Sequence, residues 1–270
     1  MKKEKATQKK VAVLGYGSQG RAIALNLRDS GWNVIVGLRK GSKSRNMVHR
    51  DKFRQIYTIS QAAAQADIVC FAFPDHLHGR VFNKEIAKNL TPKSTLWFLH
   101  GMSVHFKFVV PPDESDVILI APHAPGVAVR ENFLKKRPFT AFYAIFQDKS
   151  GAAGKTAFEL AQAIGLPKRN LIPTTFEAEA IGDLFGEQVV LCGGLAALIK
   201  NGFEVLVENG IPPENAYLEV AYQLDLIIDL IKKHGIEGMF KRISVAARFG
   251  SLLSGPKIID GSVKRRMKKI

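Results

Sequence analysis

A chain of 270 residues, 46% hydrophobic and 23% charged, is expected to be globular, with room for one large domain or two modest ones. Its formal charge of +15 invites a nucleic-acid reading, but +4 lies in residues 1–10 and +5 in residues 261–270. Basic ends of this kind are expected to be solvated tails, and no nucleic-acid-binding motif accompanies them. Cys70 and Cys192 lie in apolar surroundings, offer no disulfide framework, and read as small core residues rather than nucleophiles. No uninterrupted apolar run of about 18 residues occurs, and no apolar stretch follows "MKKEKATQKK", so neither a membrane span nor a secretory leader is expected and the location reads as cytoplasmic.

In residues 10–173, short apolar runs alternate with helical patterns. "VAVLG" (11–15), "NVIVGL" (33–38), "DIVCFAF" (67–73), "STLWFL" (94–99), "DVILIA" (116–121) and "TAFYAIF" (140–146) read as strands. They are apolar almost throughout instead of alternating, which marks strands covered on both faces by helices such as those expected at 18–30 and 151–164. Beyond Pro173 the pattern becomes helical. Thr174 and Glu177 have the spacing of a capping box, and Asn209-Gly210 with Pro212-Pro213 divides one long helical stretch from the next. A third stretch is expected over 236–249. The predicted fold class is α/β: a doubly wound, Rossmann-type parallel sheet domain over residues 1–174, then an all-helical domain over 175–270.

Directly after the first predicted strand, Gly15, Gly17 and Gly20 form G-x-G-x-x-G at the mouth of a predicted helix, with Tyr16, Ser18 and Gln19 between them. Such a turn lets the backbone approach a pyrophosphate at a helix N-terminus; the alternative is a glycine turn with a structural role only. The second strand usually ends in an acid that binds the ribose of NAD. Here no acid occurs from Val34 to Arg50, and "GLRKGSKSR" offers Arg39, Lys40, Ser42, Lys43 and Ser44. Cations and hydroxyls suit a 2′-phosphate, so NADPH is the expected cofactor and a solvated basic loop the alternative. In the helical half, Asp183 and Glu187 stand at i, i+4 on one helix face, a hard-oxygen pair suited to Mg²⁺, or else an acid of a helix N-terminal turn and a surface Glu.

"GYGSQGRAIALNLRDSGWNVIVGLRKGSKS" resembles the N-terminal signature of ketol-acid reductoisomerase. "FPD", "HG", "VVPP" and "AP-x-x-PG" extend the resemblance, and "TTFEAEAIGDLFGEQVVLCGG" and "ISVAARFG" carry it into the helical half, over residues 10–259. Family members usually continue for several more helical turns. The resemblance implies NADPH and two Mg²⁺ ions, migration of an alkyl group in a 2-hydroxy-3-keto acid such as 2-acetolactate, and reduction of the resulting 2-keto acid, in branched-chain amino-acid synthesis. Asp183, Glu187 and Glu219 match metal ligands, Ser244 a substrate-contacting serine and His100 an active-site histidine. The chain departs from the family at two positions: Gln223 stands where a fourth metal carboxylate is usual, and His123 where a lysine is usual. The resemblance also implies a homodimer or larger assembly in which Glu219 and Ser244 complete a partner's site.

His49, His76, His78, His105 and His234 are expected in loops or on helix surfaces without chemistry. Both departures touch the metal-dependent alkyl shift more than hydride transfer. Two alternatives therefore stand beside the reductoisomerase: a reductase of the same fold acting on another 2-keto acid or imine, and a catalytically silent nucleotide-binding relative.

Overall fold

The computed structural model describes residues 9–270; the first eight residues of the expected N-terminal tail lie outside the described residues. The chain divides after Ile181 into two compact units. In the first, eight strands form one sheet in the order β3-β2-β1-β4-β5-β6-β7-β8. They are β1 (Lys10–Leu14), β2 (Asn33–Leu38), β3 (Ile56–Thr58), β4 (Ile68–Phe71), β5 (Thr95–Phe98), β6 (Asp116–Pro122), β7 (Ala141–Gln147) and β8 (Leu171–Pro173). The order reverses beside β1, whose neighbours β2 and β4 both run parallel to it.

Strand side chains alternate between faces, and both faces are covered. Val11, Val13, Ile68, Cys70 and Trp97 join Ile23 and Leu27 of the helix Ser18–Asp29 and Leu160 of the helix Ala153–Ala163 in one cluster. Ala12, Leu14, Val69, Phe71 and Phe98 face the other way, onto Ile59, Ala62, Phe82 and Ile86. Each large side chain so buried contributes about 1.5–3 kcal/mol, which is why these strands carry no polar face.

Two features differ from the sequence expectation. β3 and β8 are three-residue edge strands, too short to show as apolar runs. The sheet is also not parallel throughout, since β7 runs antiparallel to β6. The helix Gly126–Leu134 leads away from β6, and residues 135–140 bring the chain back, so that Ala141 pairs with Pro122, where β6 ended.

The second unit is helical, with Gly193–Glu208 and Val245–Ile258 as its longest unbroken α-helices and the helical stretch Leu224–Phe240 broken by a kink at Gly235, where φ is +70°. Four local expectations are corrected. The cap of the helix Phe176–Phe185 is Thr175, whose Oγ1 accepts from the Ala178 N–H at 3.0 Å, because the Thr174 N–H still donates to the Tyr143 carbonyl. The stretch 236–249 is interrupted, with Ser244 capping a new helix through the Ala247 N–H at 3.1 Å. The basic C-terminus is helical over Gly261–Met267 rather than a tail, capped by Asp260. Cys192 is exposed, whereas Cys70 is buried and desolvation pushes its thiol pKa upward. One helical run, Phe176–Glu208, is long and apolar enough to cross a membrane by length and composition alone, which is weak evidence of a span.

Candidate active site

The carboxyl ends of β1 and β2 open onto a cleft of about 830 Å³. Gly15 turns the chain at φ +96°, and a side chain there would collide with the Ala72 carbonyl. Gly20 packs as closely on the Gly15 carbonyl, whereas the space beside Gly17 is open, as an approaching pyrophosphate requires. Gly15, Tyr16, Gly17, Arg39, Ser42 and Ser44 all line the cleft, together with Lys43. Ser18 and Gln19 belong instead to the helix start, where the Gln19 amide donates to the Ala124 carbonyl at 2.8 Å and ties the loop after β6 to the glycine turn.

The Tyr16 side chain is buried, and its hydroxyl donates to Asp51 at 2.8 Å. Arg21 grips the same carboxylate through Nε at 2.7 Å and Nη2 at 2.9 Å. These bonds, Arg21 first, hold the Asp51 carboxyl below the ordinary range, while burial and Asp51 raise the Tyr16 phenol. Asp51 is the first acid after the cationic loop, and its engagement with Arg21 and Tyr16 accounts for it as structural.

His100 follows β5. Its Nδ1 lies 3.0 Å from Oε2 of Glu179, a residue only 4% exposed, and the Gly101 N–H donates to the same oxygen at 2.5 Å. An ionised carboxylate only accepts, so Nδ1 carries a proton, and Nε2 lies across the ring from Glu179. Glu179 escaped the sequence reading, although it precedes Asp183 by the same four residues that separate Asp183 from Glu187. His123 follows β6, exposed, with its ring edge-on to Phe142 at 4.3 Å.

His78, expected on a surface, is instead buried. Its Nε2 lies 2.9 Å from the Phe73 carbonyl, which can only accept, so Nε2 is the donor and Nδ1 accepts from the Ser103 hydroxyl at 2.7 Å. Desolvation lowers its pKa and favours that neutral form. The imidazole thus ties the cleft wall at Phe73 to the segment after His100. His49, His76 and His234 are exposed and His105 is half-buried.

In the helical unit Asp183, Glu187, Glu219, Gln223 and Ser244 are all exposed. The Gln223 amide donates to Glu219 Oε2 at 3.3 Å. Among the described residues no three Asp, Glu, His or Cys side chains converge as a metal site. The carboxylate and amide oxygens of these side chains are of the hard kind that suits Mg²⁺.

A doubly wound sheet with a glycine turn at β1 and an acid-free cationic loop after β2 defines a Rossmann-type dinucleotide-binding protein. Residues 5–169 match the family model for the acetohydroxy acid isomeroreductase NADPH-binding domain, and residues 176–270 match that for the ketol-acid reductoisomerase C-terminal domain. The chain belongs to the ketol-acid reductoisomerase family. It is 48% identical over 261 residues to a ketol-acid reductoisomerase (NADP(+)) of Pyrobaculum calidifontis, covering 97% of this chain and 79% of that one. The Pyrobaculum islandicum enzyme of the same name is 50% identical over 260 residues, 96% of this chain and 78% of that protein. Among solved structures, an NADH-preferring ketol-acid reductoisomerase from an uncultured archean is similar at 40% identity and TM-score 0.90, covering 97% of this chain and 80% of that one.

Proposed function

We propose that this chain is an NADPH-dependent ketol-acid reductoisomerase acting in the cytoplasm on 2-hydroxy-3-keto acids such as 2-acetolactate. The observation that carries the cofactor assignment is the cleft in which the glycine turn and the acid-free loop over residues 39–44 line the same space. The names of the Pyrobaculum relatives support NADP(H). In the reductive half, a hydride reaches the keto carbon and its oxygen takes up a proton. His100, oriented by Glu179, holds that proton at Nε2. His123 and Ser244 are assigned to substrate positioning, His123 at the end of β6.

Asp183, Glu187, Glu219 and Gln223 are the residues assigned to Mg²⁺, across two copies of the chain. A bound Mg²⁺ would polarise the substrate oxygens during the alkyl shift. The exposed apolar side chains of the helical unit, Leu191, Val205, Leu226, Phe249, Leu252 and Leu253 among them, support a homodimer or larger assembly.

Titration calorimetry tests the cofactor assignment: NADPH is expected to bind more tightly than NADH by about tenfold or more. Equal affinities, or the preference carried by the archean relative's name, would overturn it. A second reading, reduction without isomerisation, is favoured by Gln223, whose neutral amide replaces a carboxylate. NADPH consumption with 2-acetolactate and with a 3-hydroxy-2-keto acid separates the two, since only the reductase-limited enzyme turns over the second substrate alone.

A further inference from the structure

The cleft has a second wall. Besides the loop after β2, it is lined by Leu77, Arg80, Val81, Lys84 and Glu85, which follow β4. Leu77, Val81 and Glu85 recur every four residues, as do Arg80 and Lys84, so one face of this helical segment meets the cleft. Its apolar members and Ile59 offer a surface for a flat base. Its cations have no equivalent demand from the protein itself. Among the described residues, none of Arg39, Lys43, Arg80 and Lys84 is engaged in an ion pair. Four unpaired cations against the single carboxylate of Glu85 leave the cleft lining strongly positive. Like charges gathered in one cleft repel, and a bound dianion offsets that cost for all of them together.

We propose that Arg80 and Lys84 are specificity-determining residues that close on the 2′-phosphate of NADPH from the side opposite Arg39, Ser42 and Ser44. The inference rests on the NADPH assignment above and deepens it. A loop alone presents its cations on one side of the phosphate, where water and salt compete from the other. Side chains from a helical segment rooted in the core by Phe82 and Ile86 supply the missing side. Arginine and lysine contribute differently, one as a planar fork for phosphate oxygens and the other as a point charge.

The test is calorimetric titration of the full chain with NADPH, NADH and 2′-AMP, in the wild type, in Arg80→Gln/Lys84→Gln and in Arg39→Gln, each checked for an unchanged melting temperature. The double variant is expected to bind NADPH and 2′-AMP about tenfold more weakly, with the affinity for NADH changed less than twofold. Its NADPH affinity should also fall less steeply with added salt, because fewer charge contacts remain to be screened. Should Arg39→Gln lose the preference for NADPH while the double variant keeps it, the second wall is refuted and the NADPH assignment stands. Equal weakening of NADPH and NADH in the double variant would assign these side chains to the shared part of the cofactor and likewise overturn the inference. A wild type that does not prefer NADPH overturns the assignment beneath it, and the second wall with it.

Discussion

The two units solve the problem of burying apolar surface in opposite ways. The sheet unit encloses its own core: Leu14, Ile35, Phe71, Trp97 and Phe98 are 0–1% exposed, with helices on both faces of the strands. In the helical unit, only Val189 and Ala216 among the described residues are buried hydrophobics, while Leu191, Leu226, Phe249 and Leu252 are 57–68% exposed. The sheet unit is thus a self-sufficient cofactor platform. The helical unit leaves large apolar side chains exposed, as the homodimer proposed above would require. Chemistry and assembly should therefore respond to different substitutions.

The largest effect is expected where that contrast is broken. Leu226→Asp with Leu253→Asp should convert a dimer or larger species in sedimentation to a single chain, with NADPH turnover falling to background. NADPH affinity should survive in the same variant, since the cleft is built within the sheet unit. Next, Glu179→Gln keeps an acceptor for the Gly101 N–H but removes the charge that orients His100. NADPH oxidation is expected to slow by about 10–100-fold with the oligomer intact, as steady-state kinetics and sedimentation together would show.

A smaller gain, about tenfold, is expected from Gln223→Glu with His123→Lys, read as the rate on 2-acetolactate relative to a 3-hydroxy-2-keto acid across a Mg²⁺ titration. An unchanged ratio would show that the neutral amide does not limit the alkyl shift. The smallest effect concerns Asp51. Bonds from Arg21 and Tyr16 depress its carboxyl pKa in the folded chain, so their contribution is present above about pH 4 and is lost as the pH falls through the folded value. Asp51→Asn should lower the melting temperature by about 2–4 °C at neutral pH, with the difference closing in acid.

Legibility in the sequence followed the same division. The buried strands could be read because a continuous apolar run bounded by polar residues has no stable place on a wet surface; β2 falls on residues 33–38 as expected. The direction of β7 could not, since hydrophobicity does not encode which way a chain returns. The cofactor cleft was legible from its glycines and from a missing acid, both local signals. Glu179 and His78 were not. Each acts through partners 79 and 25 residues away in sequence, and "PDHLHG" has the composition of an ordinary polar loop. In the helical unit, residue identities could be read in "DLFGEQ", but among the described residues no metal-binding cluster of Asp, Glu, His and Cys side chains is seen.

The helices near these sites are wound irregularly. Phe82–Ile86, Gly186–Leu191 and Leu218–Tyr222 are π-turns, and they hold Lys84 and Glu85, Glu187, and Glu219 respectively. A π-turn accommodates one residue more than its α-helical surroundings, in an i→i+5 pattern. Removing a single residue there would restore regular α-helical winding and re-aim the side chains of the turn itself, while the helix beyond stays close to its place. The aim of these side chains therefore depends on residue count as well as residue type. A one-residue deletion in any of the three segments would redirect intact functional groups, whereas many substitutions nearby would leave them pointing where they do now.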